Sequence, residues 1–187
     1  MTGLTVESTT NGDKTFNVIH GTTSTKVHFY CDTLPLYTLF HVARYSDQLN
    51  RKRIFTDDNT GSCGVHRNWF SGFWGGYAGV AFHGQAAYGA QDCQWLTPQT
   101  DVHHIDWVVS SDTSSTYRSN GVTRGSTSCT QPLQSLGINC IDPINNEYSD
   151  FMVVDVIIIK EELALSQIQA IENALMIKYG LIGNEEQ

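Results

Sequence analysis

Apolar and polar residues alternate in short runs over most of the chain, and turn-forming residues close almost every run. A two-residue period sends successive side chains to opposite faces, so each run predicts a strand with one face on a core. TFNVIHG, KVHFYC, YTLFHVARY, KRIFTDD, RNWFSGFW, AGVAFHG, HIDWVVSS, STYRSNGV and FMVVDVIII all read this way. Between them, DTLP, DDNTGSCG, WGGYAG, SSDTSS, SNG and DPINN carry turn chemistry. About nine or ten strands without a repeat period predict an all-β fold, a two-sheet antiparallel sandwich or jelly roll.

One segment breaks the two-residue period. Ile168, Ile171, Leu175 and Tyr179 recur at helical spacing and predict a helix over 166–179. Ser166 and Gln169 form a capping-box pair behind Leu165. Gly180 stands where a left-handed C-terminal cap is wanted, with Leu181 after it. This single C-terminal helix is expected to cap the sandwich without chemistry of its own. Ahead of it, Phe151 to Ile159 is apolar at both parities, which predicts a central strand covered on both faces. Asp155 interrupts that strand and must be paired or hydrogen-bonded there; a nearby loop is the expected donor.

Composition sharpens the picture. At 187 residues the chain fits one domain with a real core. Its charged fraction is 16%, against roughly 25% for a typical soluble domain, and Ser, Thr, Gly and Asn fill the difference. Eleven basic against nineteen acidic residues leave a net charge of −8. That disfavours a nucleic-acid backbone or an anionic membrane as partner, because both require clustered Lys and Arg. The basic cluster Arg51-Lys52-Arg53 follows a turn and is expected as a solvated strand start. The longest aliphatic run, Val153 to Ile159, is broken by Asp155 and is far short of the ~20 residues that span a bilayer. The start, MTGLTVESTTNGDK, has neither the basic nor the apolar region of a signal peptide and reads as a linker. The expected organisation is a linker-like segment 1–15, a domain 16–183 and a tail 184–187, cut from a larger protein or a processed chain.

None of the five cysteines (31, 63, 93, 129, 140) falls in a zinc-type pair. Cys63 and Cys93 flank the most aromatic stretch, and Cys129 and Cys140 close a short loop, so two disulfides suggest themselves, with Cys31 left as a small buried apolar residue. Two disulfides would favour an extracellular, cell-surface or virion-surface setting. Five reduced thiols in a cytosolic protein is the competing reading.

The run DFMVVDVIIIKEELALSQIQAIENALMIKYG resembles the C-terminal signature of the concanavalin A-like lectin/glucanase superfamily, on its laminin-G-like side: a strand, a short link, Leu-Ser, and a helix closing on Tyr-Gly. Asp155 falls where that family has Asp or Glu before the aliphatic run. LFHVARY, RIFTDD, NWFSGFWGGYAGVAFHG and WLT are similar to the core of a laminin-G-like subgroup. The resemblance covers residues 16 to 182 and implies the sandwich fold; such modules include sugar binders, adhesion domains and catalytic relatives. DNTGSCGVHR and QAAYGAQDCQ look like insertions relative to that subgroup, and each brings one of the thiols that a Cys63–Cys93 staple needs. Modules of this kind also hold calcium on Asp and Asn oxygens. Asp57-Asp58-Asn59 is one such loop and the segment 142–150, with Asp142, Asn145, Asn146, Glu147 and Asp150, is another; both also read as solvated turns. His103 and His104 would point to opposite faces of a strand and do not chelate one ion.

The stretch NWFSGFWGGYAGVAFH holds six aromatic residues and four glycines in sixteen positions. Alternation places Asn68, Phe70, Gly72 and Trp74 on one face and Trp69, Ser71 and Phe73 on the other, with GGYAG as the turn. One set of rings fills the core, and the other can form a platform for the apolar C–H faces of a sugar, whose hydroxyls need fixed polar partners. The candidate ligand-binding residues are Trp74, Tyr77, His83, Tyr88 and Trp95, with Asn68 and Arg67 at the rim; Trp69 and Trp107 are assigned to the core. Glycoside hydrolysis needs two carboxylates across the bond, and the family's hydrolases carry them as Glu-x-Asp-x-Glu on one strand. None of the seven Glu here sits in that pattern, and HHID at 103–106 matches no lyase motif. The sequence therefore reads as a non-catalytic, lectin-like module for cell-surface or particle-surface glycans, within a larger extracellular or virion protein. The alternatives are a structural or adhesion module that contacts protein alone, and a divergent lyase or hydrolase.

Overall fold

In the computed structural model, residues 3–30, 32–47, 49–57, 68–84, 93–95, 106–126, 131–133, 135–140 and 146–182 are described. The alternating runs become strands β1 (Thr5–Asn11), β2 (Lys14–Gly21), β3 (Val27–Tyr30), β4 (Thr38–Tyr45), β5 (Phe55–Thr56), β6 (Trp69–Trp74) and β7 (Tyr77–His83). They continue as β8 (Cys93–Trp95), β9 (Val108–Thr113), β10 (Thr116–Ser119), β11 (Val122–Ser126), β12 (Leu136–Ile138) and β13 (Phe151–Ile159), followed by helix α1 (Leu165–Lys178). A seven-stranded sheet runs β1-β2-β13-β4-β9-β10-β11, and a six-stranded sheet runs β3-β12-β5-β6-β7-β8. All pairings between these strands are antiparallel. The expected two-sheet sandwich with one C-terminal helix is the observed architecture.

Three local expectations are corrected. Residues 5–11, read as linker, form β1 and pair along their full length with β2; their Thr and Ser suit an edge strand as well as a loop. The run STYRSNGV is a hairpin, β10 turning into β11 through Asn120 and Gly121. Only Phe55 and Thr56 of KRIFTDD belong to a strand.

The two sheets close on a core in which Leu39, Ala43 and Tyr45 of β4 meet Trp69 and Phe73 of β6 and Phe151 and Val153 of β13. The other parity of the large sheet is equally apolar. Phe40, Val42 and Val109 pack there against Ile168, Leu175, Met176 and Tyr179 of the helix, with Trp107. The layers are thus small sheet, large sheet, helix, and β13 is covered on both faces as its composition predicts.

A bulge lies between Val153 and Asp155. Strict alternation would aim Asp155 between the sheets; the extra residue leaves it toward the helix instead. There its Oδ2 accepts from Lys178 Nζ at 2.9 Å and from the Tyr179 hydroxyl. The donors come from the helix end, where a loop was expected.

The N-cap lies two residues earlier than the Ser166–Gln169 signal implied. Ala164 is the N-cap, and its N–H donates to Gln167 Oε1 at 2.9 Å. The far end is as anticipated. Leu181 N–H reaches Met176 O at 2.8 Å and Gly180 N–H reaches Ile177 O at 3.2 Å, the paired closure of a Schellman cap. The helix also carries what its apolar stripe does not announce: Glu172 is buried and holds Arg118 of β10.

Candidate functional site

The aromatic stretch folds as the β6–β7 hairpin, which turns on Gly75 and Gly76 with φ of 60° and 91°. Both central residues need positive φ in this turn, which matches the twist of the strands. It is tighter than the GGYAG turn read from sequence, so Tyr77 opens β7 opposite Trp74.

The inner parity of the hairpin is core. Trp69 stacks on His83 at 5.5 Å between ring centroids, and Trp95 meets His83 edge-on at 4.6 Å. His83 Nε2 lies 2.8 Å from Asp112 Oδ1 of β9, both side chains wholly buried. Trp95 covers Gly125 of β11 so closely that a Cβ there would sit 1.8 Å from its Cδ1. That contact ties the β8 edge of the small sheet to the β11 edge of the large one. His83 and Trp95, expected on the binding platform, are therefore interior residues, placed there by the parity of β7 and by the need to close the sandwich edge.

Gly72 also turns inward, at a bulge before Phe73. Its φ is +85°, and a Cβ there would lie 2.4 Å from His41 Cε1. His41 occupies that space, stacked on Phe55 with centroids 4.1 Å apart and 3.0 Å from Ser71 Oγ. Burial lowers its pKa to about 3, so the ring stays neutral. This glycine makes room for a core histidine; clearing a surface for ligand is not its role.

The outer parity carries a strip of three near-parallel rings. Phe70 of β6 stacks on Phe82, its cross-strand partner on β7, and on Trp74, each at a centroid distance of 6.0 Å. Phe70 is buried in the middle, while Trp74 and Phe82 are half-buried at the two ends. The Arg53 guanidinium lies over Phe70 at 4.8 Å, and Arg53 Nε is 2.5 Å from Glu147 Oε2. Burial lowers the Arg53 pKa, and Glu147 and Asp57 oppose that shift. Glu147 Oε1 also accepts from the Trp74 indole N–H at 3.3 Å, fixing the plane of the outermost ring. Asn68 is exposed at the start of β6, and Tyr77 is half-buried at the start of β7.

Of the expected ligand residues, Trp74 is part of this strip, and Asn68 and Tyr77 belong to the same hairpin. Arg67 and Tyr88 lie outside the described residues, as do His103 and His104. Phe70 and Phe82 were legible from alternation alone but were not singled out. Arg53 and Glu147 were not legible, because the pair joins distant segments. The basic cluster is corrected accordingly: Lys52 is exposed, whereas Arg51 and Arg53 are buried, each lying over an aromatic ring.

Among the described residues no group of three His, Cys, Asp or Glu is placed to hold a metal ion. Asp57 is buried and acts electrostatically on Arg53; Asp58 and Asn59, the other two residues of that loop, lie outside the described residues. In the second oxygen-rich segment Asp150 accepts from the Thr23 N–H at 2.8 Å and from Asn50 Nδ2 at 2.6 Å, while Asp142 and Asn145 lie outside the description. Cys93 is buried in β8, and Cys63 and Cys129 lie outside the described residues. Cys140 overturns the Cys129–Cys140 pairing: it is a buried thiol, 3.2 Å from Val27 O and 3.3 Å from Ile138 O. Its sulfur is held between β3 and β12 and does not serve a surface loop. No described helix is long and apolar enough to cross a membrane.

No protein-family model matches the chain, and no curated protein matches it in sequence. Solved structures do match in fold. The binding domain of botulinum neurotoxin DC, in complex with rat synaptotagmin II, superposes with a TM-score of 0.54 at 13% identity, over 92% of this chain and 46% of that one. Botulinum neurotoxin type C, whose entrance into cells depends upon interaction with two ganglioside molecules, gives 0.52 at 13% identity over 91% and 45%. The binding domain of Paraclostridial Mosquitocidal Protein 1 gives 0.50 at 14% identity over 91% and 46%. The chain spans about half the length of these structures, and at such identities the likeness is one of fold.

Proposed function

We propose that this chain is a non-catalytic carbohydrate-binding module that recognises glycans on a cell or particle surface, as one domain of a larger extracellular or virion protein. The observation that carries the reading is the Phe82–Phe70–Trp74 strip. Sugar rings are apolar on their C–H faces and polar at their edges, so a row of parallel rings with amide and charged groups beside it suits a glycan chain. Trp74 and Phe82 are the half-buried ends on which sugar faces would rest, and Asn68 supplies a donor and an acceptor at the rim. The Arg53–Glu147 pair orients Trp74 in advance, which limits the ordering cost of binding.

The fold likeness to toxin binding domains, one of them ganglioside-dependent, supports the same reading, as does the sequence resemblance to concanavalin A-like and laminin-G-like modules. The Cys63–Cys93 staple belongs to this proposal, and peptide mapping under non-reducing conditions checks it.

The test is a broad glycan array comparing the native chain with Trp74→Ala, each with calcium and with EDTA. Binding that disappears in Trp74→Ala supports the platform. Loss in EDTA would bring calcium at Asp57, Asp58 and Asn59 back into the mechanism. An absence of binding in every condition, with the fold intact by circular dichroism, refutes the sugar reading and leaves the adhesion module.

A further inference from the structure

Where the turn between β9 and β10 meets the first turn of α1, the large sheet and the helix enclose an open cleft of about 290 Å³. Thr116, Thr123 and Ser126 bring hydroxyls to it from β10 and β11, and Leu165 and Ile168 bring apolar surface from the helix. Glu162 lies at its rim. Its Oε2 accepts from Ser114 Oγ at 2.7 Å, and its Oε1 from Ser115 Oγ at 3.0 Å and Thr113 Oγ1 at 3.3 Å.

Charge decides the ligand class. Arg118 also lines the cleft, but its guanidinium is already engaged by Glu172, the Thr123 hydroxyl and Gly121 O. It offers no uncompensated positive charge, and Glu162 makes the rim negative, so phosphate, sulfate and carboxylate ligands are disfavoured. A cation would find a single carboxylate already accepting three hydroxyl protons. What remains is a neutral ligand with both donors and acceptors and one apolar face. The volume is at the small end of the roughly 300–1,000 Å³ usual for ligand pockets, which suits one ring and no longer chain.

We propose that this cleft is a second binding site, for a single neutral sugar residue. The C–H face of the ring rests on Leu165 and Ile168, and its hydroxyls exchange hydrogen bonds with Thr116, Thr123, Ser126 and Glu162. The inference shares its ligand class with the reading above and rests on it to that extent. It uses none of the same residues and lies on the helix-covered sheet, away from the ring strip.

The experiment is a titration of ¹⁵N-labelled protein with the methyl glycosides of glucose, galactose and mannose and with N-acetylglucosamine, followed by two-dimensional NMR. Wild type, Trp74→Ala, Glu162→Gln and Ser126→Trp are compared; Ser126 is exposed at the end of β11, so the indole can fill the cleft without entering the core. The expected result is a saturable shift of amides at 113–126 and 162–168 with at least one sugar. It should persist in Trp74→Ala and weaken about tenfold or more, some 1.4 kcal/mol, in both cleft variants. Shifts confined to residues 68–83, or equal shifts in the cleft variants and wild type, overturn the cleft site and leave the ring strip standing. No saturable shift at 162–168 with any of the four sugars also overturns it, whatever the array shows for Trp74.

Discussion

Arg118 and Glu172 meet beneath the C-terminal helix as a nearly fully buried ion pair, with Arg118 Nη2 2.8 Å from Glu172 Oε2. Ser111 Oγ adds a bond to Glu172 Oε1 at 2.5 Å, and Arg118 Nε reaches the same oxygen at 2.9 Å. The pair clamps the helix to β9 and β10 at the centre of an otherwise apolar layer.

Breaking one half of such a pair leaves a buried charge uncompensated. Glu172→Ala is expected to lower stability by about 3–5 kcal/mol, read from urea unfolding. The double variant Arg118→Met, Glu172→Leu should recover most of that loss, because no charge then remains to be desolvated. A double variant no more stable than Glu172→Ala would show that hydrogen-bond geometry, and not desolvation, governs the layer.

Gly72 is the most constrained position in the hairpin. Alanine there combines a left-handed φ of +85° with a Cβ 2.4 Å from His41 Cε1, and about 3 kcal/mol or more should be lost. Gly12 is the control, since its φ is +57° with nothing within 4 Å of a Cβ; Gly12→Ala should cost only about 1 kcal/mol. Thermal unfolding of the two variants side by side checks the ordering, and equal losses would contradict it.

His41 gives the fold a defined acid response. Its native pKa of about 3 lies below the ordinary 6.5. Between those values the unfolded chain binds a proton that the native chain refuses. Stability is therefore complete above pH 6.5 and falls by roughly 1.4 kcal/mol per unit as the pH drops toward 3. Replacing the ring by glutamine, His41→Gln, should flatten that slope relative to wild type in urea midpoints at pH 7, 5 and 4. Parallel slopes would mean that other groups carry the response.

The ring strip makes a graded prediction for any glycan that the array identifies. Trp74→Ala and Phe82→Ala should each weaken binding about tenfold, while Trp74→Phe retains most of the affinity. Titration calorimetry reads this directly. Unchanged affinity in Phe82→Ala would limit the site to the Trp74 end.

Period and composition alone carried the class of this fold. Alternation marked β4, β6 and β7, the double-sided apolar run marked β13 as covered on both faces, and the 3.6-residue stripe with Gly180 marked the helix. These signals are local, because side-chain direction in a strand or helix follows from backbone geometry. Alternation also separated Trp69 from Phe70 and Trp74, so two of the three rings of the strip were placed on one face by the sequence alone. Packing decided the remainder. Thr5 to Asn11 became a strand only because β2 offered an edge, and Asp155 turned to the helix only through a bulge that alternation cannot foresee. His83 and Trp95 went inside because Asp112 and Gly125, distant in sequence, receive them there. Arg53 with Glu147, and Arg118 with Glu172, are pairs between segments far apart along the chain. A charged residue has the same local pattern whether it ends in water or beneath a helix, and only the tertiary fold supplies the partner that makes its burial tolerable.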